Sequence, residues 1–216
     1  MRRGLNPWPA VSDLFSGLLV ATFGGLMLFT GVGNKENQVA EEVQKVRDQV
    51  LNSLRSSLGG DPRIVGEDVF LDVALNFQVD QDTIQPNDIQ KIARACSALK
   101  SLFSRDVVRK NEVDIWIEGH SDSSQPIQGS DRERYLYNWR LSGNRAASVL
   151  HEFHRWGVDS GPGGYRIFAI GFANTRPRPG LPALSEQHRR TTFRIRPDRC
   201  SIEARLTKEA KKCIPF

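Results

Sequence analysis

Two groups of residues in this 216-residue chain are of types and spacings that could do chemistry. The first is a single carboxylate, Asp13, at the head of "DLFSGLLVATFGGLMLFTGVG", where no other residue is charged. Acids at a bilayer edge usually face a protein interior or a water path and mark ion or proton routes. Asp13 could instead cap a helix N-terminus. The second group is split between "EGHSD", ending at Asp122, and "NWRLSGNRAA", beginning at Asn138. Asn138, Ser142 and Arg145 stand at i, i+4 and i+7, one face of a helix. Arg145 could grip a carboxylate through two bonds and Asp122 an ammonium, so together they could hold a zwitterion. Arg145 could equally be a structural salt-bridge partner of Asp122.

Other patterns fail their chemistry. In "LHEFH", His151 and His154 are three apart, whereas a zinc-protease helix needs them four apart. "GHSDS" lacks the second glycine of a nucleophile elbow and no helix follows at once. "GPGG" has no following helix or lysine to cradle a phosphate. Cys96, Cys200 and Cys213 form no CxxC pair and no metal spacing. No enzyme site, metal or cofactor is expected. The net charge of +5 is scattered among acids without a basic, aromatic-interleaved stripe, so direct nucleic-acid binding is not expected.

The elements that must position these residues follow from periodicity. Pro9 to Val32 would make roughly 36 Å of helix, enough for a ~30 Å hydrocarbon core. Asn6, Pro7 and Pro9 suit a helix start. Arg2 and Arg3 precede the run, which places the N-terminus in the cytoplasm and the rest outside. A cleaved signal peptide is the alternative, with small residues at Gly31 and Gly33. The run is longer than a usual h-region and contains an acid, which favours a retained anchor. Gly17, Ala21 and Gly25 make a small-residue face beside Asp13 where another helix could pack.

Residues 34–62 read as an amphipathic connector helix with Val39, Val43, Val46, Val50, Leu54 and Leu58 in one stripe, broken at "GGDP". Pairing in a parallel dimer would bury the stripe, and so would packing on the chain's own domain. From residue 63 strands and helices alternate as β-α-β-α-β-β. That order predicts an α/β sandwich, with helices on one face of a mixed sheet. Cys96 falls on the apolar face of its helix and reads as a core thiol. In a compartment where disulfides persist, Cys200 and Cys213 could close a 14-residue loop, adding ~3 kcal/mol.

The segments "EGHSD", "NWRLSGNRA", "GFANTRP" and "QHRR" resemble the OmpA-like peptidoglycan-binding domain, over roughly residues 64–196. The resemblance implies that Asp122 and Arg145 bind the diaminopimelate-bearing stem peptide, with Asn138 and Ser142 supporting and Arg189 in the NRR-type segment. Ser121 replaces the usual Thr, and His188 stands where the family has Asn. "SDLFSGLL" is similar to the ion-carrying segment of MotB-like stator B subunits, which puts Asp13 at the carrier position and Ser16 at that of a Thr. The implied layout is a cytoplasmic N-terminus (1–8), a transmembrane helix (9–33), the connector (34–62), the wall-binding domain (63–197) and a tail (198–216). It implies a homodimer within a pentameric, multi-span MotA- or ZorA-like partner, in the bacterial inner membrane with the C-terminal domain periplasmic. The short helical connector is most similar to ZorB of the Zorya anti-phage system. A flagellar stator protein and a non-motor membrane tether are the alternatives.

Overall fold

The computed structural model describes residues 8–58, 62–73, 75, 77–104, 112–124, 126, 128–159 and 165–208; within the first helix, side chains are described for 13–27 and 33–56. Contacts divide the chain into two compact units, Met1–Glu42 and Val43–Phe216. Helix α1 is continuous from Trp8 to Leu58.

In the first unit the apolar run is helical. Its described large apolar side chains spread over most of the helix circumference and are open, from Leu14 at 75% and Phe15 at 64% to Phe23 at 59% and Met27 at 75% exposed. Among the described residues no helix is long and apolar enough to cross a membrane. The side chains of 28–32, the far end of the expected span, lie outside the described residues, as do the helix-start residues Asn6 and Pro7.

In the second unit the end of α1 buries Val43, Val46, Val50 and Leu54, none more than 2% exposed. This part of the connector stripe is buried within the second unit. The expected "GGDP" break falls at Gly59–Asp61, outside the described residues.

The strands are β1 (Arg63–Val65), β2 (Asp68–Asp72), β3 (Val113–Gly119), β4 (Arg166–Gly171) and β5 (Thr191–Pro197). They form one sheet in the order β1-β2-β5-β3-β4. Among the described strands only β3 and β4 pair in parallel, and α3 (Asp131–Arg155) makes their crossover. This is the mixed sheet expected, with one more strand: β1 forms a hairpin with β2 around Gly66, whose φ of +64° suits glycine.

Alternate residues of the sheet face opposite ways. One face presents Val69, Leu71, Ile115, Ile117, Phe193 and Ile195, all buried. Against the buried apolar side of the sheet lie the apolar stripes of α2 (Pro86–Phe103) and α3. Those stripes include Ile92, Leu99 and Leu102 on α2, and Ala146, Val149 and Phe153 on α3. Cys96 is in this core as expected, and burial pushes its thiol pKa up to about 12. The opposite face carries Asp68, Asp114, Trp116, Glu118, Arg194 and Arg196. There Arg196 Nε lies 2.6 Å from Asp68, Arg166 Nε 2.8 Å from Asp114 and Arg194 Nε 2.9 Å from Glu118.

Helix α3 starts with a capping box. Ser130 Oγ accepts from the Glu133 N–H, and the Glu133 carboxylate accepts from the Ser130 N–H at 2.7 Å. The helix then crosses the ends of β3 and β4 at very close range. A Cβ on Gly119 would lie 2.0 Å from the Ser142 carbonyl oxygen, and one on Gly171 would lie 2.5 Å from the Gly143 nitrogen. Glycine at both strand ends is what lets α3 sit backbone-to-backbone on the sheet. After β5, α4 (Arg199–Thr207) occupies the region expected to be a tail, with Ile202 fully buried.

Candidate functional site

The polar residues singled out from sequence do meet, at the end of the sheet where β3 stops. Asp122 lies just past Gly119, on the loop leading to α3, and is 4% exposed. Its Oδ2 pairs with Arg189 Nη1 at 2.9 Å. Its Oδ1 accepts from the Ser124 N–H at 3.1 Å and from the Ser124 hydroxyl. Burial alone would raise the Asp122 pKa. The bonds from Ser124 and Arg189 outweigh burial and hold it below the usual carboxylate value. Asp122 is therefore an anion at neutral pH.

Arg189 reaches this position from the turn Glu186–His188, just before β5, and its Nε also donates to the Phe77 carbonyl at 3.0 Å. The guanidinium on Asp122 is thus Arg189.

Arg145 sits deeper, fully buried on the inner face of α3. Its Nε donates to the Gln81 carbonyl at 2.9 Å, Nη1 to that of His120 at 3.1 Å and Nη2 to that of Gln78 at 3.1 Å. The guanidinium also lies 5.1 Å from the Phe77 ring centroid. Burial pushes the Arg145 pKa down to about 10, with the Asp122 charge working the other way, and the group stays a cation at neutral pH.

The other two residues of the predicted helix face are buried beside Arg145. The Asn138 side-chain N–H donates to the Ser124 carbonyl at 2.9 Å, and Asn138 Oδ1 is buried without a hydrogen-bond partner. Ser142 Oγ accepts from the Ala173 N–H at 2.9 Å and donates to the Trp139 carbonyl at 3.1 Å. Ser142 therefore pins α3 to the loop after β4. His188 does the same for the loop before β5: its Nδ1 accepts from the Arg178 N–H and its Nε2 donates to the Pro182 carbonyl. An Asn at that position would have matching donor and acceptor groups.

Several participants carried no sequence signal. The three carbonyls on Arg145 belong to the main chain. The turn that supplies two of them is held by Asp80, which adopts a left-handed φ of +58° and accepts from the Tyr137 hydroxyl. Ser124 could have been anticipated, because an Asp commonly accepts from the N–H two residues on.

The remaining predicted residues lie apart. Asp13 and Ser16 are exposed on α1 in the first unit. Cys200, at the start of α4, is disulfide-bonded, while Cys96 is free. Cys213 lies outside the described residues. Among the described residues no group of His, Cys, Asp and Glu could hold a metal ion.

The segment that carries this rim resembles known proteins. A search of the curated proteins finds no significant match. Among solved structures, a MotB-like protein from Desulfovibrio vulgaris is 22% identical, covering 74% of this chain and 96% of its own, with a TM-score of 0.51. The periplasmic domain of Helicobacter pylori MotB (residues 90–256) is 18% identical over 74% of this chain and 94% of its own, at a TM-score of 0.47. The OmpA-like domain of FopA1 from Francisella tularensis is 23% identical over 64% and 80%, also at 0.47. The OmpA family matches residues 76–190, which contain every residue of the rim around Asp122, and the chain belongs to that family.

Proposed function

We propose that this chain is the ion-conducting, peptidoglycan-anchored B subunit of a MotA/MotB-type rotary motor. One observation carries the reading. A single unbroken helix places the carboxylate of Asp13 at the head of a run of exposed apolar side chains that holds no other charge, and the same chain continues into an OmpA-family domain. Large apolar side chains open over most of a helix need a non-aqueous surrounding, and α1 would find it in the inner membrane. Asp13 is then the ion carrier, with Ser16 one turn on. The OmpA-family domain lies in the periplasm and holds the stem peptide of peptidoglycan. Two such chains would pass through a pentamer of multi-span partner subunits. The wall-bound dimer is the fixed part and the pentamer turns. We assign the motor to Zorya-type anti-phage defence on the short helical connector.

At the rim, Asp122 takes the ligand's ammonium, and the guanidiniums of Arg189 and Arg145 take its carboxylate. Arg145 is already bonded to three carbonyls. A ligand carboxylate therefore reaches it by displacing Gln78 or Gln81, both on the turn that Asp80 and Tyr137 hold. Asn138, with its unpartnered Oδ1, supplies a further acceptor. Outside the cytoplasm, Cys213 is the partner we assign to Cys200.

Asp13→Asn keeps size and polarity but cannot release a proton. In cells carrying the multi-span partner, it is expected to abolish phage protection while the chain still co-purifies with that partner. Full protection by the variant would reduce the chain to a wall tether, and protection lost together with swimming would favour a flagellar stator. Asp122→Ala and Arg189→Ala are each expected to lower retention on purified sacculi by at least about tenfold, a loss of ~1.4 kcal/mol. Undiminished retention by both would remove the wall anchor.

A further inference from the structure

Arg145 is fully buried, and two of its donor nitrogens are taken up by the turn 78–81. Nε donates to the Gln81 carbonyl at 2.9 Å and Nη2 to that of Gln78 at 3.1 Å. The turn closes on itself, with the Gln81 N–H donating to the Gln78 carbonyl at 3.3 Å. Its third residue, Asp80, holds a φ of +58°, a strained conformation for a residue that carries a Cβ. A side-chain bond holds it there, from the Tyr137 hydroxyl on α3 to the Asp80 carboxylate. No buried side chain fastens the turn: Gln78, Val79, Asp80 and Gln81 are all exposed, Val79 by 53%. Just before it, Phe77 is buried and bonded to Arg189 twice, its N–H donating at 3.4 Å and its carbonyl accepting at 3.0 Å. Asp80 and Tyr137 also line an open cleft of about 510 Å³, shared with Asp82, Gln128, Arg140 and Asn144, which leaves the turn room to swing.

A segment with a strained backbone, exposed side chains and polar ties is one that opens readily. We propose that the turn 78–81 is a built-in competitor for Arg145, and that the Tyr137–Asp80 bond is a latch that sets how tightly the rim binds a carboxylate ligand. The inference rests on the wall-binding reading above. The ligand's carboxylate takes Nε and Nη2 in a bidentate grip as the two turn carbonyls leave, so charge-assisted bonds replace bonds to neutral acceptors. The bond from Nη1 to the His120 carbonyl, 3.1 Å long, comes from the chain two residues before Asp122 and keeps the guanidinium in place meanwhile. Opening the turn breaks the latch. The observed affinity is therefore the intrinsic one reduced by the fraction of chains whose turn is open, and a weaker latch makes a tighter site. Asp80 and Tyr137 are positioning residues in this scheme, acting through the turn and not through contact with the ligand.

The test uses the full-length chain in detergent, titrated by calorimetry with a free stem peptide that carries diaminopimelate. The wild type is expected to bind. Tyr137→Phe keeps the ring and loses the latch, and is expected to bind about three- to tenfold more tightly, the range of one hydrogen bond's net contribution. Asp80→Ala loses the latch and keeps the strain. It is expected to gain at least as much, and the double variant no more than Asp80→Ala alone, because both changes remove one bond. Hydrogen exchange reads the motion directly. The Gln81 amide, bonded in the closed turn, is expected to exchange faster with peptide bound, whereas a ligand laid over a closed turn would slow it. A wild type that binds no stem peptide overturns the wall-binding reading and this inference with it. A wild type that binds, beside variants of unchanged affinity, overturns the latch and leaves the Asp122 site standing. Weaker binding by the variants makes Tyr137 or Asp80 a direct ligand contact and overturns the latch as well, as does a Gln81 amide that the peptide protects. Damage to the fold lowers affinity, so it cannot imitate the expected gain.

Discussion

The two faces of the sheet are built from the same strands by opposite means. On the helix side, Ile115, Ile117, Phe193 and Ile195 are buried by hydrocarbon, and α3 rests on glycine. On the other side, Asp114 and Glu118 are 6% and 2% exposed, yet they are charged groups buried by other charged groups and by rings. Arg194 bonds Glu118 and stacks over Trp116 at 4.6 Å, and Trp116 stacks on Phe168 at 4.7 Å. Apolar burial is roughly proportional to area and indifferent to pH, whereas buried ion pairs barely repay their desolvation and titrate. The first face holds the domain together, and the second makes its stability depend on conditions.

The strongest way to break that contrast is on the apolar side. Phe193→Ala is expected to cost about 3–5 kcal/mol of unfolding free energy, read from denaturant midpoints. Gly119→Ala is expected to cost about 3 kcal/mol, because its methyl has nowhere to go but into the Ser142 carbonyl. It is also expected to weaken sacculus binding, since Asn138 and Arg145 move with α3.

The pH dependence comes next, and it belongs to the ionic face. Burial raises the Asp114 pKa to about 6, although Arg166 pulls it down, and burial likewise raises that of Glu118 against Arg194. Arg166 is shared with Asp198, which weakens its hold on Asp114. A raised acid pKa stabilises the fold at low pH. The contribution of Asp114 is full below about pH 4 and is lost as pH rises through about 6, on the order of 2 kcal/mol. His120 has the opposite sign. Burial, with the charges of Arg190 and Arg176 beside it, pushes its pKa down to about 3. Its contribution is present above about pH 6.5 and is lost as pH falls toward 3. Midpoints measured from pH 3 to 8 are expected to lose the fall between pH 4 and 6 in Asp114→Asn, and the fall toward acid in His120→Gln. The smallest effect is expected at the rim of the ionic face. Arg176 is half exposed and 3.4 Å from Glu118, and Arg176→Ala is expected to change stability by less than about 1 kcal/mol.

The same contrast explains what could be read in advance. Apolar periodicity identified the helices, their inner faces and the alternation of the sheet, and it put Asn138, Ser142 and Arg145 on one buried face. Polar alternation misleads at Asp114, Glu118, Arg194 and Arg196, because a polar residue at every second position usually means water, and here it means another charge. Helix α3 begins seven residues before the expected Asn138, at a Ser130–Glu133 box whose signature was present in "SDRE". Strand β1 is three exposed residues long and has no pattern to find. Leu75 and Phe77 continue the alternation of β2 beyond its end at Asp72, since both are buried without belonging to a strand. At the rim, Asp122 and Arg189 were legible as residue types. The partners of Arg145 were not, because main-chain carbonyls have no letter in a sequence.

The hydrogen bonds that Arg145 and Arg189 make at the rim join residues between 25 and 112 positions apart in the chain, and one local ion pair, Arg189 to Glu186 at 3.2 Å, accompanies them. Contacts of such long sequence separation are the last to be rewarded as a chain folds, because each must first close a long loop. The rim is therefore assembled only after the sheet and α3 are in place. The rim can therefore hold a ligand only once folding is complete.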